Sequence, residues 1–171
     1  MPPELNAQRS TLNALSGFTL IELLITIGVL TAVAAVGILT FSGFRVKQDI
    51  ENTATSIAAI LREAQTRSIG QEDGMVWGVH FINASSSGRT YALFRGTTIP
   101  PVAGDIVAKY SLPQTIAFIA PGEGASISVQ FSAVTGLPGS SSTIHISAAS
   151  GGETEGIISV EANGVIKSVI N

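Results

Sequence analysis

Residues 16–44 read SGFTLIELLITIGVLTAVAAVGILTFSGF, and this stretch decides the fold. No charged residue occurs between Glu22 and Arg45, so residues 23–44 form an uncharged run of 22 residues. As a helix, this run would be about 33 Å long, enough to cross the ~30 Å hydrocarbon core of a bilayer. Buried core helices of globular proteins are usually shorter and keep a polar face. The run therefore predicts a membrane-spanning helix.

The composition of the 171-residue chain agrees with an apolar segment attached to one compact domain. Hydrophobic residues make up 45% of the chain and charged residues 12%, about half of the ~25% that is usual in soluble domains. A net charge of −3 gives no electrostatic reason to expect nucleic acid as a partner. The chain has no cysteine, which excludes disulfides, thiolate metal sites and a cysteine nucleophile.

A cleaved secretory signal is the alternative interpretation of the apolar run. Residues 32–34 read AVA, a pattern that ordinary signal peptidase accepts, and cleavage near Ala34 would release a secreted β-domain. However, the run exceeds the usual 7–15 residues of a signal core, and residues 1–17 carry no net positive side-chain charge. An acidic residue at the start of the run, Glu22, also opposes this interpretation, because desolvating a carboxylate is costly.

The string SGFTLIELL at residues 16–24 resembles the processing site of type IV pilins and type II secretion pseudopilins. The resemblance implies that a prepilin peptidase removes residues 1–17 as a leader, cutting between Gly17 and Phe18, and that the new amino group of Phe18 is methylated. Glu22 then becomes the fifth residue of the mature chain, the position at which the family carries its acid.

Cleavage would create a cationic amine at Phe18, and burying this charge among packed helices requires a nearby counter-charge. The carboxylate of Glu22 can supply it, either within one chain or from an adjacent subunit. In the family the intersubunit pair sets the stagger of a helical filament, so the resemblance implies that Glu22 sets filament register. Alternatively, the Glu22 side chain extends to the lipid headgroups. Close helix packing is expected at four small residues: Gly28, Ala32, Ala35 and Gly37.

Residues 45–69 carry one apolar stripe at helical spacing, which predicts that the helix continues to about Ser68 and stops at Gly70. Glu63 and Arg67 are expected to pair across one turn on the opposite surface. The small alanines of the stripe suit packing on a sheet better than a free coiled coil. The stripe consists of Val46, Ile50, Ala54, Ile57, Leu61 and Ala64.

Residues 70–171 are predicted to form a β-rich head of short antiparallel strands in two small sheets. The pair Asn163-Gly164 predicts a hairpin with a type I′ turn. The fold class is therefore α+β: a long N-terminal helix, with a membrane-spanning first half (18–44) and an amphipathic second half (45–69), packed on an antiparallel β-sheet head. The predicted strands are residues 75–83, 90–95, 106–111, 115–120, 126–131, 143–148, 156–160 and 165–170.

Within the superfamily, this layout most resembles the GspH/FimT group of minor pseudopilins, through the helix segment 58–69 and the Gly164-Val165-Ile166 turn. The resemblance implies a structural subunit of a type II secretion pseudopilus or a type IV pilus. It also implies insertion in the inner membrane, with the head outside the cytoplasm, before assembly. The implied partners are the prepilin peptidase, other pilins or pseudopilins in a helical filament, assembly-platform proteins and membrane lipid.

No set of catalytic residues is evident in the sequence. We therefore predict that the chain is not an enzyme and that it binds no cofactor and no metal. His80 and His145 lack the spacing of a metal site, and no nucleophile elbow or phosphate-binding loop occurs. Glu153 and Glu155 provide too few ligands for a calcium cage.

DNA binding, as in minor pilins of DNA-uptake machines, is the alternative function of the head. Arg89, Arg95 and Lys109 are the residues that would contact phosphates. Three scattered cations in an acidic chain favour a solvated face instead, so nucleic acid is the less favoured partner. The triplet Asn83-Ala84-Ser85 matches a glycosylation sequon, a pattern that is common by chance.

Overall fold

The computed structural model describes residues 17–84 and 88–171, without the side chains of residues 36–43. Apart from Gly17, the predicted leader lies outside the described residues. The chain divides into two compact units, Met1–Phe41 and Ser42–Asn171, which are described separately below. The helix α1 (Leu20–Ile69) contributes residues to both units.

In the first unit, α1 begins directly after Thr19 and exposes an apolar surface. Every residue from Gly17 to Ala35 is exposed to solvent. No helix within the described part of the chain is both long and apolar enough to cross a membrane. The predicted span, residues 23–44, includes positions 36–43, whose side chains lie outside the description.

In the second unit, the amphipathic half of α1 buries the predicted stripe. Five of its six members are at most 1% exposed, and Val46 packs on their cluster at partial exposure. The helix ends where the sequence predicts: the Gly70 N–H donates to the Thr66 carbonyl at 2.9 Å, and Gln71 follows with φ of 50°. Glu63 and Arg67 form the expected pair at 2.7 Å.

The head contains eight strands in two antiparallel four-stranded sheets, with strand orders β3-β2-β1-β5 and β4-β6-β7-β8. Every predicted strand is present, with ends shifted by two residues at most. The strands are β1 (Trp77–Ala84), β2 (Gly88–Arg95), β3 (Ile106–Ser111), β4 (Ile116–Ala120), β5 (Ser126–Phe131), β6 (Ser142–Ala148), β7 (Glu155–Val160) and β8 (Ile166–Ile170).

One hydrophobic core joins the second half of α1 to both sheets. Large side chains from each layer are fully buried, including Ile57 of α1, Phe81 of β1 and Ile146 of β6. Because both sheets share this core with the helix, burial of apolar surface holds the three layers together. The α+β architecture predicted from the sequence is thus confirmed.

The β7–β8 hairpin forms as predicted, but its turn type was predicted wrongly. Within the described residues around the turn, only Gly164 has a positive φ (83°), whereas a type I′ turn needs two. The Gly164 N–H donates to the Glu161 carbonyl at 2.8 Å, and the Asn163 carboxamide oxygen accepts from the Val165 N–H at 3.0 Å. Asn163 therefore acts through its side chain, which stabilises a three-residue loop with glycine in the left-handed position.

Gln65 connects α1 to two loops of the head. Its Nε2 group donates to the carbonyls of Gly136 and Gly164, each at 2.9 Å. The variant Gln65→Met should lower the free energy of unfolding by about 1–3 kcal/mol, because two partly buried carbonyls lose their donors. Urea denaturation followed by circular dichroism measures the loss, with Gln114→Met, at an exposed position, as control. Equal unfolding midpoints for the two variants would contradict this role of Gln65.

Candidate functional site

The predicted cleavage site lies in exposed, non-helical backbone. Gly17, Phe18 and Thr19 precede the first residue of α1, and the Phe18 side chain is 79% exposed. A peptidase binds its substrate in an extended form. A peptide bond inside a hydrogen-bonded helix would become accessible only after the helix had unwound. The bond between Gly17 and Phe18 therefore has the accessibility that cleavage requires.

Thr19 caps the N-terminus of α1, a role that the sequence analysis missed. The Glu22 N–H donates to Thr19 Oγ1 at 3.3 Å, and the Leu23 N–H donates to the Thr19 carbonyl at 3.1 Å. The signal was present as Thr-x-x-Glu directly before an apolar run, the pattern of a capping box. Because Thr19 satisfies the Glu22 N–H, the start of the helix is fixed at Leu20.

Glu22 lies in the first turn of α1, and its side chain is exposed. The positive end of the helix dipole favours an acid at this position. Across residues 17–84 and 88–171, no basic group lies within 4 Å of its carboxylate.

The hydroxyl groups of the exposed segment are satisfied by their own helix. Thr26 Oγ1 donates to the Leu23 carbonyl at 2.8 Å, and Thr31 Oγ1 lies 2.9 Å from the Gly28 carbonyl oxygen. These hydroxyls can therefore enter an apolar environment at little cost. Among the side chains of residues 17–35, Glu22 therefore accounts for most of the free-energy cost of moving this segment into an apolar environment.

The predicted packing residues Gly28, Ala32 and Ala35 are exposed and follow each other at helical spacing. A Cβ atom built on Gly28 would meet no atom within 4 Å, so space beside it is open. From the 100° turn per residue, this stripe lies about 120° around the helix from Glu22. The two features therefore lie on different sides of the helix. Gly37 lies outside the residues whose side chains are described.

The head histidines lie on different sheets, His80 in β1 and His145 in β6. His80 is 5% exposed, and its Nδ1 lies 2.6 Å from Ser128 Oγ. Burial lowers the pKa of His80, which favours the neutral ring. Among the described residues, no three acidic or histidine side chains group together as metal ligands. Glu155 instead lies at the start of β7, where its backbone pairs with Asn171.

The three cations of the DNA-binding alternative do not form a patch. Arg89 and Arg95 lie near opposite ends of β2, about 20 Å apart along the strand. The Arg95 guanidinium pairs with Asp73 at 2.6 Å, and Arg89 NH1 donates to the Ile116 carbonyl at 3.4 Å. Lys109 lies in the middle of β3. Because both arginines bind groups of their own chain, the arrangement does not favour DNA binding.

Sequence comparisons do not assign the chain: no protein-family profile matches it, and no curated protein matches it in sequence. Two solved structures match its fold, both of the type IV minor pilin FimU from Pseudomonas aeruginosa strain PAO1. The crystal form in space group P65 has a TM-score of 0.50 and 14% identity, covering 70% of this chain and 91% of FimU. The form in space group P21 has a TM-score of 0.53 and 14% identity, covering 72% and 90%.

At 14% identity the similarity concerns the fold, which in this chain is a helix followed by antiparallel β-sheets. The resemblance of residues 16–24 to a pilin processing site independently predicts the same fold. By its architecture, this chain is a protein of the type IV pilin-like fold.

Proposed function

We propose that the chain is a minor pilin or pseudopilin that prepilin peptidase cuts between Gly17 and Phe18. The mature protein, with Phe18 methylated on its amino group, is then assembled through α1 into a type IV pilus or a type II secretion pseudopilus. The work of the protein is structural, with no reaction catalysed by the head.

The observation that carries the proposal is the uncovered apolar surface of α1. Ten large apolar side chains between Phe18 and Val33 are each more than half exposed. Burying one such side chain contributes about 1.5–3 kcal/mol, so leaving ten in water is strongly unfavourable. Lipid would cover this surface in the inner membrane, and the helices of other subunits would cover it in a fibre. Close approach of those helices is favoured at Gly28, Ala32 and Ala35.

Glu22 supports the fibre in preference to a simple anchor. In a helix that only anchors a domain in lipid, the cost of desolvating a carboxylate opposes the favourable interaction with the helix dipole. A fibre gains a counter-charge for the amine that cleavage creates at Phe18. The lack of a basic partner for Glu22 among the described residues agrees with pairing between subunits.

The proposal also names where the protein acts and with what. Before assembly the chain crosses the inner membrane once through residues 18–44, with the head outside the cytoplasm. Its partners are prepilin peptidase, assembly-platform proteins, lipid and the neighbouring pilins of the fibre. The uncharged run of 22 residues and the processing site support this order of events.

Mass spectrometry of the mature protein tests the processing step. In cells that contain the peptidase, we expect a mature chain that begins with N-methylated Phe18. The variant Gly17→Val should remain uncut, because a side chain at the scissile position obstructs the peptidase, and Ser150→Val serves as a control in an exposed loop. A mature N-terminus near Ala34 would instead favour ordinary signal peptidase and a secreted β-domain. An intact leader would count against both.

A further inference from the structure

The turn between β7 and β8 contains the one Asn-Gly pair of the sequence, Asn163-Gly164. Asparagine before glycine loses ammonia readily, because glycine has no side chain to obstruct attack by its nitrogen on the carboxamide. In this reaction the Gly164 nitrogen forms a bond to Cγ of Asn163, and the bond from Cγ to Nδ2 breaks. The proton lost by the Gly164 nitrogen is replaced through solvent on the departing group, which leaves as ammonia. Water then opens the succinimide ring to give aspartate or isoaspartate.

The folded turn binds both the nucleophile and the carboxamide of this reaction. The Gly164 N–H donates to the Glu161 carbonyl at 2.8 Å, so removing its proton also breaks a hydrogen bond. Asn163 Nδ2 donates to Glu161 Oε2 at 3.2 Å, and Oδ1 accepts from the Val165 N–H at 3.0 Å. The carboxamide is therefore not free to rotate toward the Gly164 nitrogen. Asn163 is nevertheless exposed, so water can reach it once the turn opens.

The charge of Glu161 opposes the reaction further. The Lys167 ammonium donates to Glu161 Oε1, and this hydrogen bond together with the positive charge lowers the pKa of Glu161. The carboxylate therefore stays ionised and has no proton to give to the departing nitrogen. A carboxylate formed at residue 163 would also lose the Nδ2 donor and repel the Glu161 carboxylate.

The same turn is connected to α1 through the Gly164 carbonyl, which accepts from Gln65 Nε2 at 2.9 Å. Gly164 has a φ of 83°, and a Cβ atom built on it would lie 3.0 Å from Gln65 Nε2 and 3.3 Å from the Gly136 carbonyl oxygen. Isoaspartate adds one CH₂ group to the main chain directly before Gly164. Because Gly164 already packs closely against both neighbours, this insertion displaces its carbonyl from the Gln65 donor.

We propose that Asn163 is a latent deamidation site, which the folded turn keeps intact and which reacts when the turn opens. The modified turn then loses its hydrogen bonds and its connection to α1. Deamidation at Asn163 thus marks, irreversibly, the chains in which this part of the head has opened. The proposal uses residues of the second compact unit alone and does not depend on cleavage at Gly17 or on fibre assembly.

Peptide mapping by mass spectrometry measures the rate of deamidation at Asn163. The full-length protein in mild detergent is incubated in mildly alkaline buffer, with and without guanidinium chloride, and is digested with an acid-active protease so that digestion adds no deamidation. We expect the folded protein to react at least about tenfold more slowly than the unfolded protein, because its hydrogen bonds must first break. Equal rates in the two conditions, or no deamidation in guanidinium chloride, would overturn the proposal.

Glu161→Ala tests whether the turn itself provides the protection. This variant removes the acceptor of Asn163 Nδ2, so the folded protein should deamidate at least about threefold faster. Glu153→Ala removes the same charge at an exposed loop position and should keep the original rate. Circular dichroism verifies that both variants fold, and in guanidinium chloride all three proteins should react equally. An unchanged rate in folded Glu161→Ala, or an equal increase in Glu153→Ala, would contradict protection by the turn.

The deamidated protein tests the consequence for α1. Ion exchange separates it from the unmodified protein by its additional negative charge. At a fixed concentration of denaturant, its ratio of folded to unfolded protein should be at least about tenfold lower. In the variant Gln65→Met, which already lacks the hydrogen bond to the Gly164 carbonyl, deamidation should lower this ratio by a smaller factor. No change on deamidation, or the same factor in both backgrounds, would refute the connection between the modification and α1.

Discussion

Glu22→Lys should reduce incorporation of the mature protein into fibres by at least about a hundredfold. Removing one partner of a buried ion pair typically costs about 3–5 kcal/mol, and each 1.4 kcal/mol is a factor of ten. Lysine also places a second cation beside the amine of Phe18, so repulsion replaces attraction. The head should be unaffected, because Glu22 belongs to the other compact unit of the chain. The measurement is quantitative immunoblotting of sheared fibres against total cellular protein.

Two controls separate fibre register from other effects of the charge. Glu22→Gln removes the charge at nearly constant shape and should give a smaller but clear defect. Glu153→Lys makes the same change in net charge at an exposed loop position of the head and should assemble normally. Mass spectrometry of each variant reports cleavage separately from assembly. Normal fibre incorporation of correctly processed Glu22→Lys would remove the proposed role of this residue.

The elements of the head could be predicted from the sequence because local signals agree there with the final fold. Short runs rich in valine and isoleucine alternate with glycine and proline, and all eight became strands. The stripe from Val46 to Ala64 identified the buried face of α1, since helical spacing alone determines which residues share a face. The processing site between Gly17 and Phe18 stays a prediction, which rests on a glycine, an aromatic residue and a lone acid at fixed spacing.

What the sequence did not reveal depends on contacts between distant residues. Asn83 matches a glycosylation sequon, yet it is 5% exposed and donates to carbonyls of Phe118 and Pro121. Arg89 was considered a DNA ligand, yet it binds the edge of β4. The observed contacts of Asn83 and Arg89 could be predicted only by knowing that sheet β3-β2-β1-β5 lies beside β4. No local sequence pattern contains that information. The prediction of a type I′ turn was wrong for a different, local reason, because the Asn163 side chain accepts a hydrogen bond from the Val165 N–H.

The junction between α1 and β1 depends on Trp77, the single tryptophan of the chain. Its ring is 1% exposed, and the Arg67 guanidinium lies 4.7 Å from the ring centroid. The indole Nε1–H donates to the Glu72 carbonyl at 3.1 Å. The Trp77 backbone N–H donates to Ser68 Oγ at 2.7 Å, and Ser68 itself is fully buried. One side chain thus combines apolar burial, a cation–π contact and a hydrogen bond.

Trp77→Ala should lower the free energy of unfolding of the head by about 3–5 kcal/mol, the range for truncating a large buried aromatic residue. Against a typical stability of about 5–15 kcal/mol, this loss is at least about a fifth of the total. Urea denaturation in mild detergent measures the loss, followed by circular dichroism because the substitution removes the fluorophore.

Trp77→Phe keeps an aromatic ring but loses the indole donor, and it should cost less than half as much. Val107→Ala, on the exposed face of β3, should change stability by less than about 0.5 kcal/mol. A loss below about 1 kcal/mol for Trp77→Ala would mean that packing elsewhere in the core holds the helix to the sheets.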